Sequence, residues 1–210
     1  MLPKNRLYLL AAIVLAAGCV LWASPDEQTL GSGIKLVYIH VSFIWASMVG
    51  FAGSGLLGLA CLFRMKGRLV SLQETMGRVA FVWFMVGIVL SIFAAKVNWG
   101  AVYWQEPRMI ASLKFILVAI LVLLTSNHIK SGWIKSGLNL FLALFLLWSF
   151  MGISRVLHPK NPIVDSPSLA IQMTFLSLFV LNLLAEIIAV FIIQQKNVPL
   201  NTEDIELDVV

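Results

Sequence analysis

Long apolar stretches alternate with short polar connections along the whole chain. A helix needs about 20 predominantly apolar residues to cross a bilayer. Six stretches reach that length, and they cover positions 7–23, 36–63, 78–97, 109–128, 133–153 and 169–194. The pattern therefore predicts an all-α polytopic membrane protein, with a bundle of six transmembrane helices within residues 1–196. The polar, acidic segment 197–210 is typical of a flexible tail.

Composition agrees with lipid as the solvent of this bundle. Of the 210 residues, 60% are hydrophobic and only 12% are charged, which is more apolar than an ordinary soluble domain. The net charge of +5 does not indicate nucleic acid as a partner, because no run of basic residues is interleaved with aromatic residues. Membrane lipid is the partner that this composition predicts.

The basic residues are divided unevenly between the two ends of the predicted helices. Nine of the 15 Lys and Arg residues lie on one side, which comprises the N-terminus, the even-numbered connections and the end of the sixth helix. The other six lie in or beside the odd-numbered connections. These six are Lys35, Lys96, Arg108, Lys114, Arg155 and Lys160. Because cytoplasmic connections carry the excess of Lys and Arg, this division predicts that both termini, including the tail, are cytoplasmic.

The first apolar stretch has two interpretations. The letters LAAGC, which end at Cys19, are typical of a lipoprotein cleavage site. The stretch stays apolar through Trp22, however, and this favours a transmembrane helix. The topology then places Cys19 toward the outer face and Cys61 toward the inner face, which is too far apart for a disulfide.

The same topology brings two histidines and an aromatic connection to the outer face. His40 lies one turn into the second helix, His158 lies between the fifth and sixth helices, and residues 98–109 connect the third helix to the fourth. Taken singly, each histidine is more often a hydrogen-bonded structural residue than a ligand. Histidine is nevertheless the commonest side-chain metal ligand, and two of them can bind a haem iron from opposite sides. Their location on one face favours a shared ligand.

The connection NWGAVYWQEPRM combines three rings with an acid and a base. Those residues are Trp99, Tyr103, Trp104, Glu106 and Arg108. Rings at the headgroup level are common without any ligand, and this is the alternative interpretation. A flat apolar ligand with acidic edges would use the rings for stacking and a guanidinium for its carboxylates, and haem with its two propionates is such a ligand. Further candidates for propionate pairing are Lys96, Arg155 and Lys160.

Two features lie deeper in the predicted bundle. Small residues recur at every fourth position of the second helix, which predicts a face that another helix approaches closely. They are Ala46, Gly50, Ser54 and Gly58. Glu186 is an acid inside the sixth helix, and intramembrane acids are functional by default. Helical rise places it toward the cytoplasmic side, so we do not assign it to the outer site.

Three segments resemble the haem-handling proteins of cytochrome c biogenesis, the CcmC and CcsA group. YIHVSFIW, at positions 38–45, resembles the histidine-bearing start of their second helix. WGAVYWQEPR, at positions 99–108, resembles their tryptophan-rich outer loop, the WWD motif W-G-x-x-W-x-W-D-x-R/K. VLHP, at positions 156–159, falls where the group has its second outer histidine. Six spans in 210 residues are similar to the shorter CcmC form.

Within the loop, the match to this motif is partial. Trp99, Gly100 and Arg108 agree with the motif, whereas Tyr103 stands where a tryptophan is usual. Two further departures are Gln105 in place of tryptophan and Glu106 in place of aspartate. The resemblance implies that this loop binds haem b, through Trp99, Gly100, Tyr103, Trp104, Glu106 and Arg108, while His40 and His158 ligate the iron.

The resemblance also implies a location and a set of partners. The site would lie on the outer, periplasmic face of the inner membrane of a prokaryote. Haem would pass from it to a haem chaperone or to apocytochrome c, with ABC-type transporter subunits among the other assembly proteins. Such a role is haem transport and delivery rather than catalysis by this chain alone.

Two other classes of function remain open from the residues. One is a permanent bis-histidine b-type electron-transfer subunit, although such subunits usually hold both ligands inside the helix bundle. The other is a transporter or accessory subunit without haem, whose outer aromatic residues only anchor it in the membrane. The chain has no G-x-x-x-x-G-K-S/T nucleotide-binding motif, so an ATP-driven step would come from partner proteins.

Overall fold

The computed structural model describes residues 4–64, 66–151, 153, 163 and 166–197. Within them the chain forms six α-helices, each long and apolar enough to span a membrane. The helices are α1 (Lys4–Trp22), α2 (Ile34–Phe63), α3 (Gly67–Trp99), α4 (Pro107–His128), α5 (Gly132–Phe150) and α6 (Leu169–Asn197). In that part of the chain no strand forms, so the predicted all-helical, multi-pass fold is confirmed. Of the predicted tail, residues 198–210 lie outside the described residues.

The third helix differs most from its predicted bounds. It begins at Gly67, eleven residues before the predicted span at position 78, and its 33 residues correspond to about 50 Å of helix. Hydropathy excludes its first turns because they carry charged and amide side chains. These turns are helical nonetheless, because Gln73 donates to Ser136 Oγ of α5 at 2.7 Å and Thr75 donates to Gln194 Oε1 of α6 at 2.8 Å.

The second helix is the centre of the bundle. It packs against α3, α5 and α6, while α1 lies on α6 and α4 lies against α5 and α3. The small residues predicted to form a packing face, Ala46, Gly50, Ser54 and Gly58, are all buried. Next to them, Phe51 meets the ring of Phe115 edge-on, with centroids 5.0 Å apart, in the main apolar core. The close approach of the other helices therefore follows from the sequence of α2.

Neighbouring helices that are joined by short connections run antiparallel, and the bundle therefore has two distinct ends. At one end, Asn98 Nδ2 at the end of α3 donates to the Gly33 carbonyl before α2 at 3.1 Å. At the other end, Arg6 of α1 donates to the Phe191 carbonyl of α6 at 3.0 Å, so the start of α1 lies beside the last turns of α6. Which membrane face each end occupies stays a prediction. Cys19 and Cys61 lie at opposite ends and both are free thiols, as predicted.

Candidate functional site

A cavity of about 630 Å³ opens at the end of the bundle that carries the 100–106 connection. Its volume falls within the range of pockets that hold cofactor-sized ligands. Its walls come from α2, α3 and the start of α4, with Phe175 of α6 at one side, and most of the lining is apolar. Apolar lining residues include Val37, Val41, Ile44, Met48, Ile88 and Phe150.

Five of the predicted site residues line this cavity together. They are His40, Trp99, Tyr103, Glu106 and Arg108. Sequence position alone separates them by up to 68 residues, and the antiparallel packing of α2, α3 and α4 brings them to one chamber. The arrangement places one imidazole, two rings and one charged residue of each sign around an apolar space.

The remaining predicted residues lie elsewhere. Gly100 ends α3 in the left-handed conformation, with φ of 74°, and turns the chain into the connection instead of lining the cavity. Trp104 is 55% exposed and is outside the lining. Lys96 is exposed on α3 and likewise outside it. His158, Arg155 and Lys160 lie outside the described residues.

The orientation of His40 is set by its own helix. Its Nδ1 lies 2.9 Å from the carbonyl oxygen of Leu36, one turn earlier on α2. A carbonyl can only accept, so this contact selects the tautomer in which Nδ1 carries the proton and donates. In that tautomer Nε2 holds the lone pair with which a neutral imidazole binds a metal, and a hydrogen bond at the other nitrogen is the usual way of fixing such a ring.

The charged residues of the site are fixed at the start of α4. The Glu106 amide donates to the Tyr103 carbonyl at 3.0 Å, which closes the turn before the helix. Glu106 is the residue before the first helical position, Pro107, whose fixed φ suits that position. Glu106 is only 5% exposed at this position. Arg108, half-buried one position into the helix, faces the same cavity.

Sequence reasoning missed the deeper wall of the cavity. Ile44 and Met48 follow His40 at intervals of four residues, and this helical spacing would have identified them once His40 was assigned to a site. Trp45 lies beside them, 46% exposed, with its ring edge-on to Phe175 at 5.4 Å between centroids. That contact joins α2 to α6, and no sequence pattern indicates it.

Chemically, the cavity suits a flat apolar ligand that carries acidic groups at its edge. The apolar walls of α2 and α3 would take the flat face, and Arg108 is a cation in the cavity lining that could pair with a carboxylate. The oriented imidazole of His40 adds one ligand for a metal held within such a molecule. Haem b has this combination of features, so the residues present fit it.

The fold and this cavity together define a class of protein. The chain is a multi-pass membrane protein whose described residues form six membrane-spanning helices, with a ligand-sized apolar cavity at one end of the bundle. No family model matches its sequence, and a search of curated proteins finds no match either. The resemblance to the CcmC and CcsA group therefore stands on the residues quoted above and stays a prediction.

Proposed function

We propose that this protein binds haem in the cavity and delivers it during cytochrome c assembly. The observation that carries the proposal is the convergence of His40, Trp99, Tyr103 and Arg108 on one apolar chamber of about 630 Å³. Neither anchoring rings nor a structural histidine requires such a convergence. The order of these residues along the chain, and their resemblance to the haem-handling group, supports the same function.

The iron would be bound by His40 from one side. Its Nδ1 donates to the Leu36 carbonyl and fixes the ring, so Nε2 would be the nitrogen that holds the iron. The resemblance supplies His158, in the segment between α5 and α6, as the second ligand. A ligand on a connecting segment suits release better than permanent storage, because local opening costs less in connections than in packed helices.

The rest of the macrocycle would contact rings and charges at the mouth of the cavity. Trp99 and Tyr103 line the cavity and would offer ring faces or edges to the porphyrin. Arg108 would neutralise one propionate, and Glu106 would hold a position between Arg108 and the ring-bearing connection. Trp104, which is exposed next to the lining residue Tyr103 in the chain, would contact the protein that receives the haem.

The direction of delivery follows from the predicted topology. With both termini in the cytoplasm, the cavity opens on the outer face of a prokaryotic inner membrane. The acceptor there would be a haem chaperone or apocytochrome c, with the other cytochrome c assembly proteins as further partners. The chain itself would perform transfer of a bound cargo rather than a covalent reaction.

The direct test is a haem titration of the full-length protein purified in detergent. The expected result is saturable binding of one haem with the absorption spectrum of a six-coordinate, low-spin iron. Absence of saturable binding would contradict the proposal and favour a transporter or accessory subunit. Haem that copurifies, dissociates slowly and has a stable redox midpoint would contradict delivery and favour a b-type electron carrier.

The charge of Arg108 gives a second measurable expectation. Replacing Arg108 with glutamine is expected to weaken haem binding about tenfold, because a charge-assisted hydrogen bond to a propionate is lost. Lys114 is the matched control, since it carries the same charge on the same helix but is exposed outside the cavity lining. Equal affinities for the Arg108→Gln and Lys114→Gln variants would show that Arg108 does not bind a propionate.

A further inference from the structure

One face of α6 carries polar side chains through the interior of the bundle. Asn182 comes four residues before Glu186 and Gln194 comes eight residues after it, so the three side chains lie within about a third of the helix circumference. Asn182 Nδ2 donates to Ser42 Oγ of α2 at 2.8 Å. Gln194 accepts a hydrogen bond from Thr75 of α3 at 2.8 Å. Both amides therefore have the interhelical partners that buried polar groups normally find.

Glu186, between these two amides, differs from both. It is 2% exposed, and neither carboxyl oxygen has a hydrogen-bond partner among the residues that the structure describes. Buried polar groups of folded proteins are hydrogen-bonded in the great majority of cases, so each exception calls for an explanation. A purely structural role would be served by an amide, as it is at positions 182 and 194.

The surrounding helices make room for the carboxyl group. A Cβ added to Gly50 of α2 would collide with Glu186 Oε1, and it would lie 2.9 Å from the Cβ of Ala80 on α3. The small-residue face of α2 thus accommodates an acid at this level, in addition to allowing helices to approach. Gly50 lies 16 residues from the start of α2 and 13 from its end, so the carboxyl lies near the middle of the bundle.

The charged and titratable groups on the packed helices point elsewhere. Arg6 of α1 contacts Phe191, more than one turn farther along α6. On α2, the titratable residues before Gly50 are at least ten residues, or about 15 Å, away from it; they are Lys35, Tyr38 and His40. Cys61 follows Gly50 by eleven residues, toward the end of α2. On α3, Glu74 bonds Ser126 of α4 and Lys135 of α5. Arg78 of the same helix bonds Asn127 of α4. The other two basic residues of α3, Arg68 and Lys96, are exposed near its two ends.

An ionised carboxylate in such a place would be buried with no cation beside it among the residues that the structure describes. Transfer of an isolated carboxylate into an apolar interior is so unfavourable that the group takes up a proton instead. Acids inside membrane bundles commonly serve as steps in proton relays. In the two directions along α6 from this acid, the polar side chains of the helix bond Ser42 of α2 and, near the start of α3, Ser71 and Thr75.

We propose that Glu186 is a proton-binding site within the bundle. Its carboxyl is held as the neutral acid between Gly50 and Ala80, and it exchanges its proton with water through the polar face of α6. The ligand of this site is a proton, and no covalent chemistry takes place at the carbon. The site is independent of haem binding, since Glu186 is not part of the cavity lining.

Infrared spectroscopy of the full-length protein in detergent tests both parts of this proposal. The expected result is a carbonyl-stretch band of a protonated carboxylic acid that shifts to lower frequency after transfer to D₂O and is lost in the Glu186→Gln variant. A spectrum without this band would show an ionised carboxylate and overturn the proposal. A band from Glu186 that does not shift in D₂O would show a sealed structural acid and would also overturn it.

Two variants secure the assignment. Glu74→Gln is the matched control, because Glu74 is a carboxylate of the same bundle but lies 3.0 Å from the Lys135 ammonium. The protonated-acid band is expected to persist in that variant. If Glu186→Gln does not fold, Glu186→Asp replaces it, and the band is then expected to change frequency rather than disappear. A band that is unchanged in the aspartate variant would belong to another residue and would overturn the assignment.

Discussion

Replacing His40 with alanine is expected to abolish the six-coordinate, low-spin spectrum that haem gives with the purified protein. Among the described residues, His40 is the histidine that lines the cavity, and the hydrogen bond to the Leu36 carbonyl that orients its ring is lost in the same change. Loss of groups that merely orient a metal ligand costs about 10- to 100-fold in affinity, so loss of the ligand itself is expected to cost about a hundredfold or more. Absorption spectroscopy during a haem titration measures both effects.

His128 offers the matched control for this experiment. It is an exposed histidine at the end of α4 remote from the cavity, so His128→Ala is expected to leave the spectrum and the affinity unchanged. His158→Ala is expected to reproduce the loss of the six-coordinate signal, because the resemblance makes His158 the second ligand. A wild-type spectrum in both the His40 and His158 variants would refute the assignment of the ligands.

The part of the fold that depends on hydropathy could be predicted from the sequence. Five of the six helices begin within about three residues of their predicted starts, because an apolar run and a membrane-spanning helix have the same physical cause. The early start of α3 could not be predicted this way. Its first turns are polar, and they are stabilised by the contacts of Gln73 and Thr75 with α5 and α6, which a single sequence does not reveal.

The candidate site was predictable to a similar extent. Topology alone placed His40 and the ring-bearing connection at the same end, and the structure brings His40, Trp99 and Arg108 to one cavity. The sequence could not indicate that Trp104 is exposed outside it, because the direction of a side chain in a turn depends on the path set by Gly100. Packing between helices α2 and α6, which decides the cavity wall at Trp45, is equally invisible in one sequence.

The same distinction applies to the small residues of α2. Their spacing predicted a close helix contact, but it could not say which helix approaches at each level. In the structure, Gly50 faces Glu186 of α6 and Ala80 of α3, whereas Gly58 faces the Ser136 backbone of α5. One stripe of small residues therefore packs against different helices at successive turns, and its glycines differ in what a side chain would disturb.

Replacing Gly58 with leucine is accordingly expected to prevent stable assembly of the bundle. A Cβ at this position would lie 2.7 Å from the Ser136 carbonyl oxygen and 3.3 Å from the Leu140 amide nitrogen, both of them backbone atoms of α5. Backbone atoms cannot rotate away as a side chain does, so α2 and α5 would have to separate. Overpacking a well-packed core costs about 1–3 kcal/mol, and a whole leucine against a rigid helix is expected to reach or exceed the upper end.

Gly137 provides the control, because it is also a helical glycine but nothing lies within 4 Å of its added Cβ. Glycine-to-leucine replacement raises intrinsic helix stability by up to about 1 kcal/mol at either site, so this contribution cancels in the comparison. Thermal unfolding in detergent, followed by circular dichroism, is expected to give a much lower Tm for Gly58→Leu than for wild type, and an unchanged or slightly higher Tm for Gly137→Leu. Equal melting of the two variants would show that α2 and α5 do not approach as closely as the structure places them.

Because α2 carries His40 as well as Gly58, the Gly58→Leu variant is expected to lose haem binding together with its fold, whereas His40→Ala loses haem binding alone.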